Sequence, residues 1–118
     1  GGWRVRVALA AAIFAQPDVL LLDEPTNHLS IQAVLWLARE LSTGSAWESR
    51  TIVIVSHDRY FLDEVVSDTL HISGVARRLT AAKGNYSLWA KRREQLQKEF
   101  ARRKELRAET REKLAEFA

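Results

Sequence analysis

Two adjacent carboxylates, Asp23 and Glu24, follow a short apolar run in this sequence, and a histidine, His57, follows the next such run. The carboxyl ends of parallel strands meet at one edge of a sheet, where α/β proteins bind ligands. We therefore expect the three side chains to share one site. One carboxylate can hold Mg²⁺, directly or through water, while the other orients and deprotonates a water molecule. The histidine can stabilise charge that develops on a phosphate.

Two strands must position these side chains. Residues 19–22 are wholly apolar and end at the two acids, which predicts a strand buried on both faces, as in a parallel sheet. Residues 51–55 are rich in β-branched side chains and predict a second buried strand. Between the two strands, Ser30 is a suitable N-cap for a helix over about 31–41.

Further helices and a hairpin surround this pair of strands. The alanine-rich residues 3–15 carry apolar side chains on one helical face and predict a helix. A short helix is expected at about 59–65. Two weaker strands, at 68–72 and 76–80, flank a turn at Gly74.

The C-terminal third predicts one long helix. From Tyr86 to the end there is no Gly or Pro, and Arg, Lys, Glu, Gln, Leu and Ala dominate. Residues spaced three and four apart lie on one face of this helix, and they form a narrow apolar stripe that charged residues interrupt. Such a stripe suits one arm of an antiparallel helical pair better than a core helix.

Charge is divided unevenly between the two parts of the chain. Residues 1–82 contain 7 Arg and no Lys against 9 acidic residues, whereas residues 83–118 contain 11 basic against 6 acidic residues. The first part has a net charge of −2 and the second of +5. This division is typical of a globular unit joined to a segment that meets polyanions. The alternative is a solvated helix whose basic side chains pair with Glu.

Composition excludes several kinds of protein. At 118 residues the chain allows about one domain, and its 47% hydrophobic residues suffice for a packed core. The absence of cysteine excludes a disulfide framework, a thiolate zinc site and a thiol nucleophile. No apolar run approaches the ~18 residues that a membrane helix needs, and the start does not resemble a signal peptide. We therefore expect a cytoplasmic protein without a membrane partner.

The motifs together resemble one family. LLLDEPTNHLS at 20–30, IVSHDRYFLD at 54–63 and the opening GGWR resemble the second half of an ATP-binding cassette (ABC) domain. The GGW segment resembles the end of the signature motif of the ABC-F subfamily. This resemblance implies an α/β fold, with part of the parallel sheet of a P-loop NTPase and flanking helices. Residues 1–82 would then belong to the nucleotide-binding domain, and residues 83–118 would begin a basic helical linker of coiled-coil type.

The resemblance implies a role for each site residue. Asp23 matches the Walker B aspartate that serves Mg²⁺, Glu24 the catalytic glutamate and His57 the switch histidine. Gly1 and Gly2 match signature glycines that face the ATP of a partner cassette. Ser30 stands in the D-loop, at a position where the subfamily usually has aspartate, which leaves the D-loop contact to the partner cassette in doubt.

One essential part of the family's ATP site does not occur in the sequence. No segment reads G-x-x-x-x-G-K-[ST], the Walker A loop that cradles the β- and γ-phosphates. We therefore interpret the chain as a fragment of one cassette, most consistent with the first of two in an intact protein. The alternative is a second cassette followed by a basic C-terminal extension. We expect the fragment alone to bind ATP weakly and to be inactive as an ATPase.

The resemblance also implies partners for the intact protein. ABC-F proteins carry two cassettes in one chain, and their linker reaches into the ribosome near bound tRNA, which implies ATP hydrolysis coupled to translation. Two alternatives stay open: the nucleotide-binding subunit of a transporter, and a non-catalytic RNA-binding or scaffold module. The basic residues that we expect to contact RNA are Lys91, Arg92, Arg93, Lys98, Arg102 and Arg103.

Overall fold

The computed structural model describes residues 2–117, so the predicted role of Gly1 lies outside the described residues. The described chain is mixed α/β. Its elements, in chain order, are α1 (Gly2–Ala15), β1 (Val19–Asp23), α2 (Ile31–Thr43), a 3₁₀ turn (Ser45–Trp47), β2 (Thr51–Val55), α3 (Arg59–Val65), β3 (Asp68–Ser73), β4 (Arg78–Lys83) and α4 (Tyr86–Glu116). This order confirms the predicted fold class and the predicted helices and strands. Only β4 differs clearly, because it starts and ends later than residues 76–80.

The chain divides into two compact units, the first ending at Tyr86 and the second beginning at Ser87. In the first unit, β1 and β2 pair in parallel, with Leu20 opposite Ile52 and Asp23 opposite Val55. The strands β3 and β4 form a separate antiparallel hairpin. The functional boundary that we expected between residues 82 and 83 stays a prediction.

The core lies on one side of the parallel strands. Leu20 and Leu22 of β1 point into it, and the strand alternates strictly between exposed and buried residues. Helices α2 and α3 pack against each other, and α3 contributes Phe61, which is fully buried. The buried side chains that form this cluster are Leu20, Leu22, Leu37, Ala38, Leu41, Trp47 and Phe61.

The other face of the same strands is exposed, which makes the prediction of burial on both faces wrong for the described residues. Val19 and Leu21 of β1 and Val53 and Val55 of β2 all lie on the solvent side. Leu21 alone is 72% exposed. Residues of α1, α2 and α3 that pack near the strands belong to the cluster on the other side. The apolar runs therefore have the composition of strands buried on both faces, while this chain covers only one face.

The second unit consists of helix α4 from Ser87 onward. The 31 residues of α4 rise about 46 Å at 1.5 Å per residue. No residue between Tyr86 and Glu116 is buried. Along the helix, Glu94 and Lys98 form an i,i+4 salt bridge of 3.1 Å, an exposed pair of the kind that contributes a few tenths of a kcal/mol. Within residues 2–117, no helix combines the length and apolarity needed to cross a membrane.

Candidate nucleotide-hydrolysis site

Parallel pairing brings the ends of β1 and β2 to one edge of the sheet. Asp23 pairs with Val55, and the backbone N–H of Glu24 donates to the carbonyl oxygen of Val55 at 2.7 Å. The ladder therefore continues one residue beyond β1. Because Glu24 and Ser56 each follow a paired residue, the segments that carry the predicted site residues leave the sheet side by side.

Glu24 and His57 are in direct contact. The Nδ1 atom of His57 hydrogen-bonds to Oε1 of Glu24, and the backbone N–H of His57 donates to Oε2 of Glu24 at 3.3 Å. Both carboxylate oxygens are thus engaged by one residue. The histidine side chain is 96% exposed and the glutamate side chain 26%. We call this contact the Glu24–His57 pair.

The backbone of Glu24 adopts an unusual conformation. Its φ of 47° lies in the left-handed region, as does the φ of 66° at His28 in the turn that follows. A residue with a Cβ atom in this region costs on the order of 1–3 kcal/mol, and such residues cluster at active sites. The sharp turn directs the Glu24 side chain toward His57 instead of continuing the strand.

Asp23 is the last residue of β1 and its side chain is exposed at the same edge. A group of three or more His, Cys, Asp or Glu residues that could hold a metal does not occur among residues 2–117. A carboxylate oxygen fits Mg²⁺, which proteins commonly bind through one or two carboxylates together with water and substrate phosphates. The donor chemistry of Asp23 is therefore compatible with an ion shared with a nucleotide.

The two neighbours of His57 have local structural roles. The N–H of Asp58 donates to Oγ of Ser56 at 3.0 Å. Asp58 is the N-cap of α3, and its Oδ1 accepts from the N–H of Phe61 at 3.0 Å. Short-range hydrogen bonds thus hold the two residues that flank His57, while the imidazole ring of His57 itself is exposed to solvent.

Ser30 caps helix α2, as the sequence predicts. Its Oγ accepts from the backbone N–H of Ala33 at 3.2 Å, in the extended conformation that an N-cap requires. Its predicted contact with a partner cassette is not tested by a single chain and stays a prediction. The described geometry assigns Ser30 a role in fixing the start of α2.

Removal of the Ser30 cap is expected to lower the stability of the folded chain. We expect Ser30→Ala to lower the free energy of unfolding by about 1 kcal/mol, because one N–H in the first turn is left without its acceptor. Ser30→Asp retains an acceptor and should leave stability within a few tenths of a kcal/mol. Urea unfolding followed by circular dichroism measures both. Ser49→Ala, in an exposed loop, is the control, and an equal decrease there would contradict the capping role.

The first described residue of α1 lies close to the turn after β1. A Cβ atom added at Gly2 would be 3.3 Å from Cβ of His28 and 3.6 Å from a guanidinium nitrogen of Arg6. This space is tighter than most Cβ contacts, so a glycine allows the helix start to approach the turn. The predicted role of Gly2 toward a partner's nucleotide stays a prediction.

The six predicted RNA-contact residues all lie on α4 with exposed side chains. Within the helix, Lys98 pairs with Glu94, and the guanidinium of Arg93 lies 5.4 Å from the ring centroid of Trp89. The other candidates named from sequence are Lys91, Arg92, Arg102 and Arg103. Their exposure is compatible with contact to a polyanion.

Sequence reasoning assigned no role to Trp47 and Arg50, two residues that the structure places outside the site. Trp47 is only 4% exposed in the core cluster, and its Nε1 has no hydrogen-bond partner among the described residues. Arg50 donates from Nε to the carbonyl oxygen of Ala46 at 2.6 Å and from Nη1 to that of Gln16. Its Nη1 also lies 3.4 Å from Oδ1 of Asp18.

These contacts connect the segments that precede β1 and β2. Because Thr51 N–H also donates to the carbonyl oxygen of Asp18 at 3.0 Å, the starts of the two strands are fixed to each other. A signal was present in the sequence: Asp18 and Arg50 each stand immediately before a predicted strand. Opposite charges at the starts of paired parallel strands favour this contact.

Known proteins match both the site and the rest of the chain. The family model described as "ABC transporter" matches residues 1–27, which include Asp23 and Glu24. "ABC transporter F family member 3" of Arabidopsis thaliana is 50% identical over 95 residues, which is 80% of this chain and 12% of that protein. "ATP-binding cassette sub-family F member 3" of Homo sapiens is 47% identical over 95 residues, 80% of this chain and 13% of that protein.

A third relative extends the similarity through α4. An uncharacterised ABC transporter ATP-binding protein of Schizosaccharomyces pombe is 42% identical over 117 residues, which is 99% of this chain and 15% of that protein. The chain thus spans less than a sixth of the length of these relatives. Since the family model and the named relatives agree, the chain belongs to the ATP-binding cassette proteins of subfamily F, of which it covers one segment.

Proposed function

We propose that, in the intact protein, Asp23, Glu24 and His57 act together in ATP hydrolysis. The observation that supports this most directly is the Glu24–His57 pair, in which residues 33 positions apart in sequence meet at the carboxyl edge of two parallel strands. A carboxylate and an imidazole in contact can handle a proton and a developing negative charge within one site. ATP turnover by the intact protein carrying Glu24→Gln tests the proposal.

Glu24 is the group that accepts the proton of the attacking water. In the described state its two oxygens contact the ring and the backbone of His57. One oxygen must turn toward water before the carboxylate can act as a base. Because His57 is 96% exposed, its ring is free of packing that would prevent this rearrangement and can approach a phosphate oxygen.

Asp23 is the residue that would hold Mg²⁺ at the phosphates. Bound there, the ion would neutralise charge on the phosphate oxygens and orient them. Asp23 contributes one carboxylate from the end of β1, adjacent in sequence to the proton acceptor Glu24. The cradle for the phosphates comes from residues outside this chain, since the sequence contains no Walker A loop.

A second cassette would complete the site in the intact protein. Gly1, Gly2 and Ser30 are the residues that would face the nucleotide or the D-loop of that partner. Support comes from the start of α1, where backbone N–H groups at a helix N-terminus favour an anion. Closure of two cassettes on ATP would draw its free energy from contacts made only in the closed state.

Helix α4 would bind RNA, which we place in the ribosome or in tRNA. The support is its charge, since residues 83–118 have a net charge of +5, together with the exposure of the six basic candidates. Coupling of ATP hydrolysis to translation would follow, in the cytoplasm. When basic side chains contact the phosphates of RNA, condensed counterions are released. The affinity of α4 for RNA must therefore fall as the salt concentration rises.

A charge-neutralised helix should show lower affinity and weaker salt dependence. We expect the triple replacement of Lys98, Arg102 and Arg103 by Gln to weaken binding to ribosomal RNA. It should also reduce the slope of log K against log salt concentration by about 0.7–0.9 for each phosphate that the helix no longer neutralises. Fluorescence anisotropy with labelled RNA between low and physiological salt measures both quantities.

A matched control changes the same charge elsewhere. Three exposed arginines of the first unit, Arg39, Arg77 and Arg78, are replaced by Gln. If RNA binding depends on α4, this control retains the affinity and slope of the wild type. Equal decreases in the two triple variants would show a nonspecific effect of net charge and would contradict the assignment to α4.

A further inference from the structure

Arg59 connects the hydrolysis site to the first residue of α4. It opens α3, two positions after His57, and its guanidinium lies 5.5 Å from the ring centroid of Tyr86. A guanidinium at this distance over an aromatic ring is attracted by the electron density of the ring face. Tyr86 in turn begins α4. The contact between Arg59 and Tyr86 therefore links the segment that follows His57 to the first residue of α4.

The chain that leads into α4 is also attached at the far end of α3. The N–H of Gly84 donates to the carbonyl oxygen of Ser67 at 2.8 Å, and Oγ1 of Thr69 donates to the carbonyl oxygen of Gly84 at 3.0 Å. Gly84 has a φ of 113°, which a residue with a Cβ atom rarely adopts. The start of α4 is thus attached both to the beginning of α3 and to the segment that follows α3.

The connection from His57 to Arg59 is short and hydrogen-bonded. Ser56 accepts from the N–H of Asp58, and Asp58 accepts from the N–H of Phe61. Phe61 itself is 0% exposed. Only Asp58 separates His57 from Arg59, and both its backbone N–H and its carboxylate are hydrogen-bonded within this segment.

We propose that Arg59 is a positioning residue that couples His57 to α4 through its contact with Tyr86. This inference rests on the proposed function, since it requires both ATP turnover at the site and RNA binding by α4. When RNA holds α4, the contact biases the orientation of α3 and of His57 before it. By thermodynamic linkage, nucleotide binding changes the affinity for RNA by the same factor as RNA changes the affinity for nucleotide.

The test compares ATP turnover of the intact protein with and without purified ribosomal RNA. For Arg59→Gln and Tyr86→Ala, we expect turnover without RNA to stay within about twofold of the wild type. The change that RNA causes in turnover should be largely lost. The change that ATP causes in the affinity for RNA should fall about fivefold or more, the lower end of typical coupling between binding sites. Arg59→Lys, which retains a cation, and Tyr86→Phe, which retains the ring, should restore most of the response. Arg39→Gln, an exposed arginine of α2, is the control and should respond like the wild type.

The outcomes separate this inference from the function on which it rests. If the wild type hydrolyses ATP and responds to RNA, while Arg59→Gln and Tyr86→Ala respond equally, the coupling role is wrong and the proposed function stands. If the wild type does not hydrolyse ATP, both the proposed function and the coupling are wrong. If it hydrolyses ATP but does not respond to RNA, the coupling is wrong and the proposed role of the site in hydrolysis stands. A parallel decrease in turnover without RNA and in thermal stability, which Arg59→Lys does not restore, would show a merely structural role and would also overturn the coupling.

Discussion

Replacement of Glu24 by Gln in the intact protein is expected to lower the rate of ATP hydrolysis by about 10²–10⁴-fold, the usual contribution of a positioned base. Gln has nearly the same shape, so the backbone bond from residue 24 to the carbonyl oxygen of Val55 remains. Its amide cannot accept a proton from water at neutral pH. ATP binding should therefore persist while turnover nearly ceases. Single-turnover hydrolysis and equilibrium ATP binding, measured on the same preparation, separate the two effects.

The matched control for this variant is Glu48→Gln. Glu48 is exposed and follows the 3₁₀ turn, where it adjoins neither β1 nor His57. Turnover of this control should equal that of the wild type. If Glu24→Gln hydrolysed ATP at the wild-type rate, Glu24 would not be the base. The Glu24–His57 pair would then be only a structural contact.

The largest expected effect on stability is at Phe61. We expect Phe61→Ala to lower the free energy of unfolding by about 3–5 kcal/mol, because its ring is fully buried and the truncation leaves a cavity. Phe61 lies at the centre of the cluster that joins α3 to α2 and β1. Urea unfolding of the 118-residue chain, monitored by tryptophan fluorescence and circular dichroism, measures the decrease.

Phe14→Ala is the control for this prediction. Phe14 is 90% exposed at the end of α1, so its truncation removes little buried area and should change stability by less than about 0.5 kcal/mol. A decrease at Phe61 no larger than the decrease at Phe14 would contradict the described core. The same comparison tests the position of α3, which carries Arg59 at its start.

The site was predictable because its residues lie at the ends of strongly patterned segments. Two short apolar runs indicate parallel strands, and parallel strands direct the residues after them to one edge. That argument correctly predicts that Glu24 and His57 meet. It does not predict that both oxygens of Glu24 contact His57, because the left-handed backbone at Glu24 has no signal in residue type.

Other features could not be derived from local pattern. Trp47 lies in a largely polar loop of the sequence, yet the 3₁₀ turn directs its ring into the core. The loop of the hairpin extends further than expected because Arg77 adopts a φ of 50°, so β4 begins at Arg78 instead of 76. Burial of β1 and β2 on one face only depends on which elements cover them, and composition does not carry that information.

At Glu24, the residue type that best suits the backbone conformation differs from the residue type that makes the contact with His57. A glycine would relieve the φ of 47° at no steric cost, whereas glutamate supplies the carboxylate that His57 contacts. The acid at this corner of the sheet therefore lowers the conformational stability of the chain. Under the proposed function, that loss of stability is the condition for placing a base at the end of β1.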